Sequence, residues 1–542
     1  MFTQKSPFHP LAVSALTLSA LALTVTACSP QAQHDEQISA QAQQSAPAES
    51  LKAGIFYLEG SLDPKNMFDA WVLVRVGAGE TLLRLSDNGA LEPWLCQDYE
   101  VIDPLNYRIT LRPNLTFSDG TALTALDVKN NLERVMALNP RAPQYFKLDH
   151  ITVESATELT ITTQEPVPEL FYNLCEPLFA LIKLPEDALP STDDAAWPDV
   201  TIVHPITTGP YQVTAFTPNQ SVTVRANPHY RKNTSHPGNS GLIPQLEFLY
   251  LPEEQSRSLA LQSGQVDLIA TVNFATLPLF VDNPDYVVKR RISPRTNVVY
   301  INHDNQLLAQ DQIRRALDLA INREQIVSLI GGMPAASLIA PSFVHGFAPG
   351  NPYLIAQAKQ ILDDAGIVDH NGDGTRDFQG QELSFDYYFK ADHGSADSAL
   401  IAQCLQQDFA ALGVKLNLFP AENLPAIMAS GDFDFFSAND STLPTGDPYV
   451  FMHSRFHSAG DANFGHYHSP KLEQLLSTMA QTFDPEKRHQ LTQALLTELK
   501  SDVAAFFINH IEINEVASSK LNHLHLYSFD NYFIDDQVRV HD

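Results

Sequence analysis

The chain has 542 residues, with 34 Lys and Arg against 63 Asp and Glu, a formal charge of −29. So acidic a balance excludes a nucleic-acid binder, which needs a basic face, and equally excludes electrostatic docking on anionic lipid. The length suffices for two or three domains with large cores.

In chain order, Lys5 and the amino terminus form a short positive segment. Residues 11–27 are apolar apart from Ser and Thr and end in Val25-Thr26-Ala27-Cys28. That run is shorter than the ~20 residues of a spanning helix, and its small terminal residues mark a secretory cleavage site. Cys28 directly after Val-Thr-Ala is similar to a bacterial lipobox, in which the Cys is lipidated and becomes the first residue. The alternative is a plain signal peptide with an incidental Cys. Residues 28–50, rich in Gln, Ala and Ser, read as a disordered tether.

Short strands and turns dominate the first half. Residues 107–111 alternate, Pro113-Asn114 and Asp119-Gly120 are turns, and Thr124 with Asp127 caps a helix carrying Leu126, Leu132, Val135 and Met136 on one face. Residues 151–163 read as an antiparallel pair. Gly209-Pro210-Tyr211 opens a hairpin around Pro218-Asn219, which Asn227-Pro228 ends. After Pro294 the texture changes. A buried strand is expected at 297–302, and a helix capped by Asp311 carries Ile313, Ala316, Leu317, Ala320 and Ile321. Further helices are expected at 355–365, 397–412, 471–479 and 485–500, with strands at 383–389, 414–419 and 433–437 between them. Strand runs return at 504–516, before a tail at 526–540. Alternating helices and strands indicate α/β architecture. The expected organisation is a signal segment (1–27), a tether (28–50), lobe I (51–293, with an inserted subdomain at about 80–200), lobe II (294–508) and a return to lobe I (509–542). The chain would cross between the lobes near Ser293 and Asn509.

Cys96, Cys175 and Cys404 remain once Cys28 is set aside. Apolar neighbours favour buried thiols, with a Cys96–Cys175 disulfide as the alternative.

Several segments carry a family resemblance. Leu111-Arg112-Pro113 with Thr116-Phe117-Ser118-Asp119-Gly120 and Thr124-Ala125-Leu126-Asp127-Val128, then Thr208-Gly209-Pro210-Tyr211 with Asn227-Pro228-His229-Tyr230, then Ser263-Gly264-Gln265-Val266-Asp267, Arg314-Arg315-Ala316-Leu317 with Ala320-Ile321-Asn322-Arg323, and Gly431-Asp432-Phe433-Asp434 stand in one order. Together they resemble the bacterial extracellular solute-binding proteins of family 5, the peptide- and nickel-binding group. The resemblance implies a two-lobed periplasmic binding protein fold with the ligand in the cleft between lobes. It implies a non-enzymatic component that hands its ligand to the permease of an ABC importer, without cofactor, as a monomer lipid-anchored in the periplasm. Peptides are the expected ligand, and a nickel or other metal chelate is the alternative. A periplasmic hydrolase is a distant third, because G-x-S-x-G, P-loop and G-x-G-x-x-G patterns are all absent.

The resemblance also points to cleft residues. Peptide-binding relatives grip the α-amino group with an Asp, where this chain has Pro444; Asp440 is the candidate substitute, since a carboxylate pairs well with an ammonium. Asp447 and Tyr449 lie in a run similar to the nickel-binding branch, although that branch's Trp is missing, and Asp447-Pro448 can equally just start a helix. Arg141 stands where that branch places an arginine on ligand carboxylates, which a guanidinium fork suits. Trp71 is a candidate aromatic wall or a core residue. His453, His457, His466 and His468 have spacings open to metal, with solvated loop histidines as the plainer reading. Residues 369–377 imitate the start of a calcium loop, but Gly380 stands where the bidentate Glu belongs, so a polar turn fits better.

Overall fold

The computed structural model describes residues 50–191, 196–230, 242–347, 350, 352–390, 396–521 and 524–538. The signal segment, Cys28 and all but the last residue of the expected tether lie outside them.

Two strands organise the molecule. Tyr286–Ile301 pairs antiparallel with Ala505–Ser518, and this ladder runs through the middle of an 11-stranded sheet. On one side follow Leu268–Ile269, Leu51–Ile55, Gln245–Tyr250, Ser221–Ala226 and Tyr211–Thr217; on the other, Phe435–Ser441, Ser384–Lys390 and Lys415–Ala421. The ladder shifts register between Ile292 and Thr296, where the Ser293 hydroxyl donates to the Ile511 carbonyl at 2.9 Å. A sheet half lies on each side of that bulge, giving two lobes. Helices cover both halves, among them Asp311–Ala320, Arg323–Ile330 and Ala396–Leu412 against the second.

A separate four-stranded antiparallel sheet, ordered Cys96–Asp103, Asn106–Leu111, Glu158–Thr163 and Leu148–Val153, packs with the Ala125–Leu138 helix. Asp127 reaches back to the Thr124 N–H at 2.8 Å, as the capping residues predict. Leu126 is a correction. It is 54 % exposed, because the buried stripe runs through Ala125, Val128, Leu132 and Val135, leaving 126 a hundred degrees away. Asp311 is another. It is the first helical residue after Gln310 and makes no cap, pairing with Arg315 one turn on at 2.7 Å. The expected strand at 297–302 is the end of a longer one that passes through Pro294, which a register shift tolerates. Cys96, Cys175 and Cys404 are buried free thiols. Gly209 is required where it stands, since a Cβ there would run into the carbonyl oxygens of Gly77 and Ala78.

One buried ion pair ties the four-stranded layer to the main sheet. Arg134 donates to both Asp63 oxygens at 2.8 and 2.7 Å, with the two side chains 1 and 0 % exposed. Asp63 also accepts from the Lys65 and Ile202 N–H groups, and Arg134 donates to the Val200 carbonyl. This fork fixes the 61–66 loop from which the Met67–Arg75 helix departs. Removing one partner leaves an uncompensated buried charge. Arg134→Met should therefore cost about 3–5 kcal/mol in denaturant unfolding, whereas a loss below about 1 kcal/mol would mean the pair is dispensable.

Candidate functional site

Strand direction locates the cleft. In one lobe Leu51–Ile55 runs parallel to Gln245–Tyr250 and Leu268–Ile269. In the other Ser384–Lys390 runs parallel to Lys415–Ala421 and Phe435–Ser441. Ligands of α/β sheets sit beyond the carboxyl ends of such strands. Both sets point toward the hinge: Ser441 lies opposite Arg295, and the Val272 N–H reaches the Asn514 carbonyl at 3.0 Å.

The first wall is one stripe of the Met67–Arg75 helix, with Met67, Trp71 and Arg75 four residues apart. The Trp71 indole meets Phe56 and Tyr57 edge-on at 5.8 and 6.1 Å, and the Arg75 guanidinium lies 4.3 Å from its centre. Arg141 comes to the same stripe, its Nη1 3.4 Å from Met67 Sδ. Asn139 holds it there, accepting from the Arg141 N–H at 2.8 Å and donating to the Lys65 carbonyl at 2.6 Å. Met67 and Arg141, 74 positions apart in sequence, are thus in contact.

The second wall is built differently. Both oxygens of Asp440 are engaged, Oδ1 accepting from Arg455 at 2.8 Å and Oδ2 from the Tyr300 hydroxyl at 2.5 Å. Asp447 is buried; Oδ1 accepts from the Tyr449 N–H at 2.8 Å, starting the Tyr449–Phe456 helix, and Oδ2 accepts from Arg488 at 2.7 Å. Arg488 also reaches Glu169 at 3.3 Å, on the segment leading out of the four-stranded layer. Tyr449 is half-buried on the core, and burial with Glu169 and Glu165 nearby pushes its phenol up to about 12. Gln144 donates to Asp461 at 2.8 Å, so the Arg141 turn abuts the segment after this helix. The histidines divide. His453 and His457 stack at 4.5 Å, while His466 pairs with Asp304 and His468 with Glu473. Among the described residues no group of three or more His, Cys, Asp or Glu is placed to hold a metal ion. In the 369–377 loop, Asp369 accepts from the Gly372 and Gly374 N–H groups and Asp373 from that of Thr375, an arrangement of polar turns.

Several charged residues around the first wall escaped the sequence reading. Arg75 donates to the Asp530 carbonyl, and Asp530 accepts from Arg295 at 2.9 Å beside the hinge. Glu515 is 3 % exposed, with Oε2 accepting no hydrogen bond. Burial pushes it up to about 8 against the pull of Arg75, and burial does the same to Glu176 against the pull of Arg141. The available signal was a charge inside an apolar run: Arg75 in Ala70 to Ala78, Glu515 just before Val516-Ala517.

Comparison with known proteins gives this arrangement its class. Residues 90–463 match the model of the bacterial extracellular solute-binding proteins, family 5 (middle). The chain belongs to that family, the two-lobed substrate-binding components of ABC importers. Among its relatives is the nickel-binding protein NikA of Staphylococcus aureus, 24 % identical over 483 residues, 87 % of this chain and 91 % of that one. The structure of that species' NikA in complex with Ni(L-His)2 superposes with a TM-score of 0.72 at 23 % identity, covering 91 % of this chain and all of the other. The oligopeptide-binding protein AppA of Bacillus subtilis, solved with a nonapeptide, gives 0.72 at 19 % identity, covering 91 and 99 %.

Glu515 makes stability depend on pH. Its folded pKa lies above its unfolded value, so its stabilising share is complete below the ordinary carboxyl range and is lost as pH rises toward 8. Glu515→Gln should flatten the fall in Tm between pH 5 and 8 and melt about 2–4 °C above the parent at pH 8 without ligand. Parallel Tm–pH curves would show that Glu515 is ionised in the fold.

Proposed function

We propose that the chain is an exported lipoprotein that captures a small metal chelate carried by an amino acid or similar organic acid, and delivers it to an ABC permease. The approach of Arg141 to Met67, one helical turn from Trp71, carries this reading, because a guanidinium fork close to an aromatic wall suits a compact carboxylate ligand. Asp440, the candidate for gripping a peptide amine, already has Arg455 and Tyr300. The nickel-binding relatives point the same way. A peptide ligand is the second reading, favoured by the fold match to AppA, equal in TM-score to that of NikA.

Calorimetry with nickel plus L-histidine should show binding, and Arg141→Ala should weaken it at least about tenfold. Mass spectrometry and metal analysis of ligand co-purified from the native envelope should find metal in stoichiometric amount. A heterogeneous peptide ladder without metal would transfer the conclusion to the peptide reading.

Anchoring rests on Cys28 alone. Cys28→Ala should move the protein from the membrane fraction to the soluble periplasmic fraction or stall its processing. Unchanged membrane association of that variant would refute the lipid anchor.

A further inference from the structure

Arg488 stands between two carboxylates that come from opposite sides of the hinge. Its Nη2 donates to Asp447 Oδ2 at 2.7 Å and to Glu169 Oε2 at 3.3 Å, and its Nε reaches the same Asp447 oxygen at 3.1 Å. Its Nη1 serves the Met479 and Thr482 carbonyls at 2.8 and 3.1 Å, so all five N–H groups are engaged. All three charged side chains are less than a tenth exposed. Asp447 follows Phe435–Ser441 of the second sheet half, and Arg488 lies on the Pro485–Ser501 helix. Glu169 instead belongs to the four-stranded layer, which the Arg134–Asp63 fork fastens to the first half. The loop before Asp447 is pressed on that layer: a Cβ at Gly446 would lie 2.7 Å from Leu85 and 3.1 Å from Tyr172.

Beyond the hinge Asp447 already neutralises Arg488. Closing the lobes carries a second carboxylate out of water against the same single cation. A buried site of one positive and two negative groups is relieved by taking up a proton. We propose that Glu169 and the Arg488–Asp447 pair form a proton-sensitive clasp: the lobes close with uptake of a proton on Glu169 and part more readily when it is ionised. Burial, with Asp447 beside it, holds the Glu169 carboxyl up at about 8 against the pull of Arg488. The other titratable groups that face it are phenols, Tyr107 and Tyr172 on its own side and Tyr449 across the interface, all pushed up by burial. Glu165, four residues earlier, is exposed and paired with Lys147 at 3.0 Å. His453 and His457, on the Tyr449–Phe456 helix, stack on each other, and His453 feels Asp461 and Glu165. In the open form Glu169 meets water and titrates in the ordinary carboxyl range, at about 4. Its closed-state value is raised, so its contribution to closure is complete below that range and is lost as pH rises through about 8. The clasp acts on closure and does not depend on which ligand the cleft holds.

Nitroxide spin labels at A156C and Q481C, both exposed and one on each side of the interface, report the separation of the lobes in the ligand-free mature protein. The ratio of molecules at the separation of this structure to all others should fall at least about threefold between pH 5 and pH 8. E169Q, whose amide is neutral in both states, should abolish that dependence and stay near the parent's pH 5 ratio. E169A should abolish it too, so the test stands if one variant fails to fold. H453Q with H457Q should leave the dependence in place. A parent ratio that is constant or rises between pH 5 and pH 8, whichever state prevails, would overturn the clasp. A pH dependence that survives both Glu169 substitutions, or vanishes with the histidines, would overturn it as well.

Discussion

The pairing of Tyr286–Ile301 with Ala505–Ser518 is the constraint on which the remaining architecture hangs. Each strand belongs to both sheet halves, so each lobe is completed by chain that also completes the other. The ladder shifts register between Ile292 and Thr296 and again between Asn297 and Val298, so its irregular stretch falls within residues 293–298. Because parallel strands on either side end at that level, their loops face each other across the bend. The cleft is thus placed by sheet direction before any side chain is considered.

Arginine does much of the internal fastening of this acidic chain. Arg314 donates to the Leu308 and Ala309 carbonyls at 2.9 and 3.1 Å, and Arg323 to those of Phe507 and Asp318. Arg257 gathers the carbonyls of Leu251, Pro252 and Thr271. A guanidinium offers five donors in a fixed plane, enough to satisfy several loop carbonyls that have no strand or helix partner. The Arg314 to Arg323 motif is therefore scaffold chemistry. At the Met67–Arg75 helix the same residue type does likewise, Arg75 donating to the Asp530 carbonyl between the Trp71 and Phe533 rings.

Much of the fold was legible because it rests on local periodicity. The Asp311–Ala320 stripe, the Tyr211 to Ala226 hairpin and the Pro485–Ser501 helix came from spacing and turn residues alone. The long central strand was not, because Pro294 reads as a terminator and its tolerance depends on a bulge that only the pairing reveals. Of the candidate site, Trp71 and Arg141 were legible through the resemblance to the nickel-binding branch, and their convergence on Met67 is tertiary. Asp440 looked like a free carboxylate because Arg455, 15 residues later, does not announce its target. Glu515 was signalled only by a charge beside the apolar Val516-Ala517, and its burial with Oε2 unpaired is tertiary.

The buried Glu169–Arg488–Asp447 triad bears on how such a receptor lets go. Glu169 leads out of the four-stranded layer, whereas Arg488 and Asp447 belong to the lobe beyond the hinge. Separating them would strip Arg488 of one counter-charge and expose a contact sealed by Leu85 and Tyr172 against Gly446. This contact between the two segments is held by the protein's own groups.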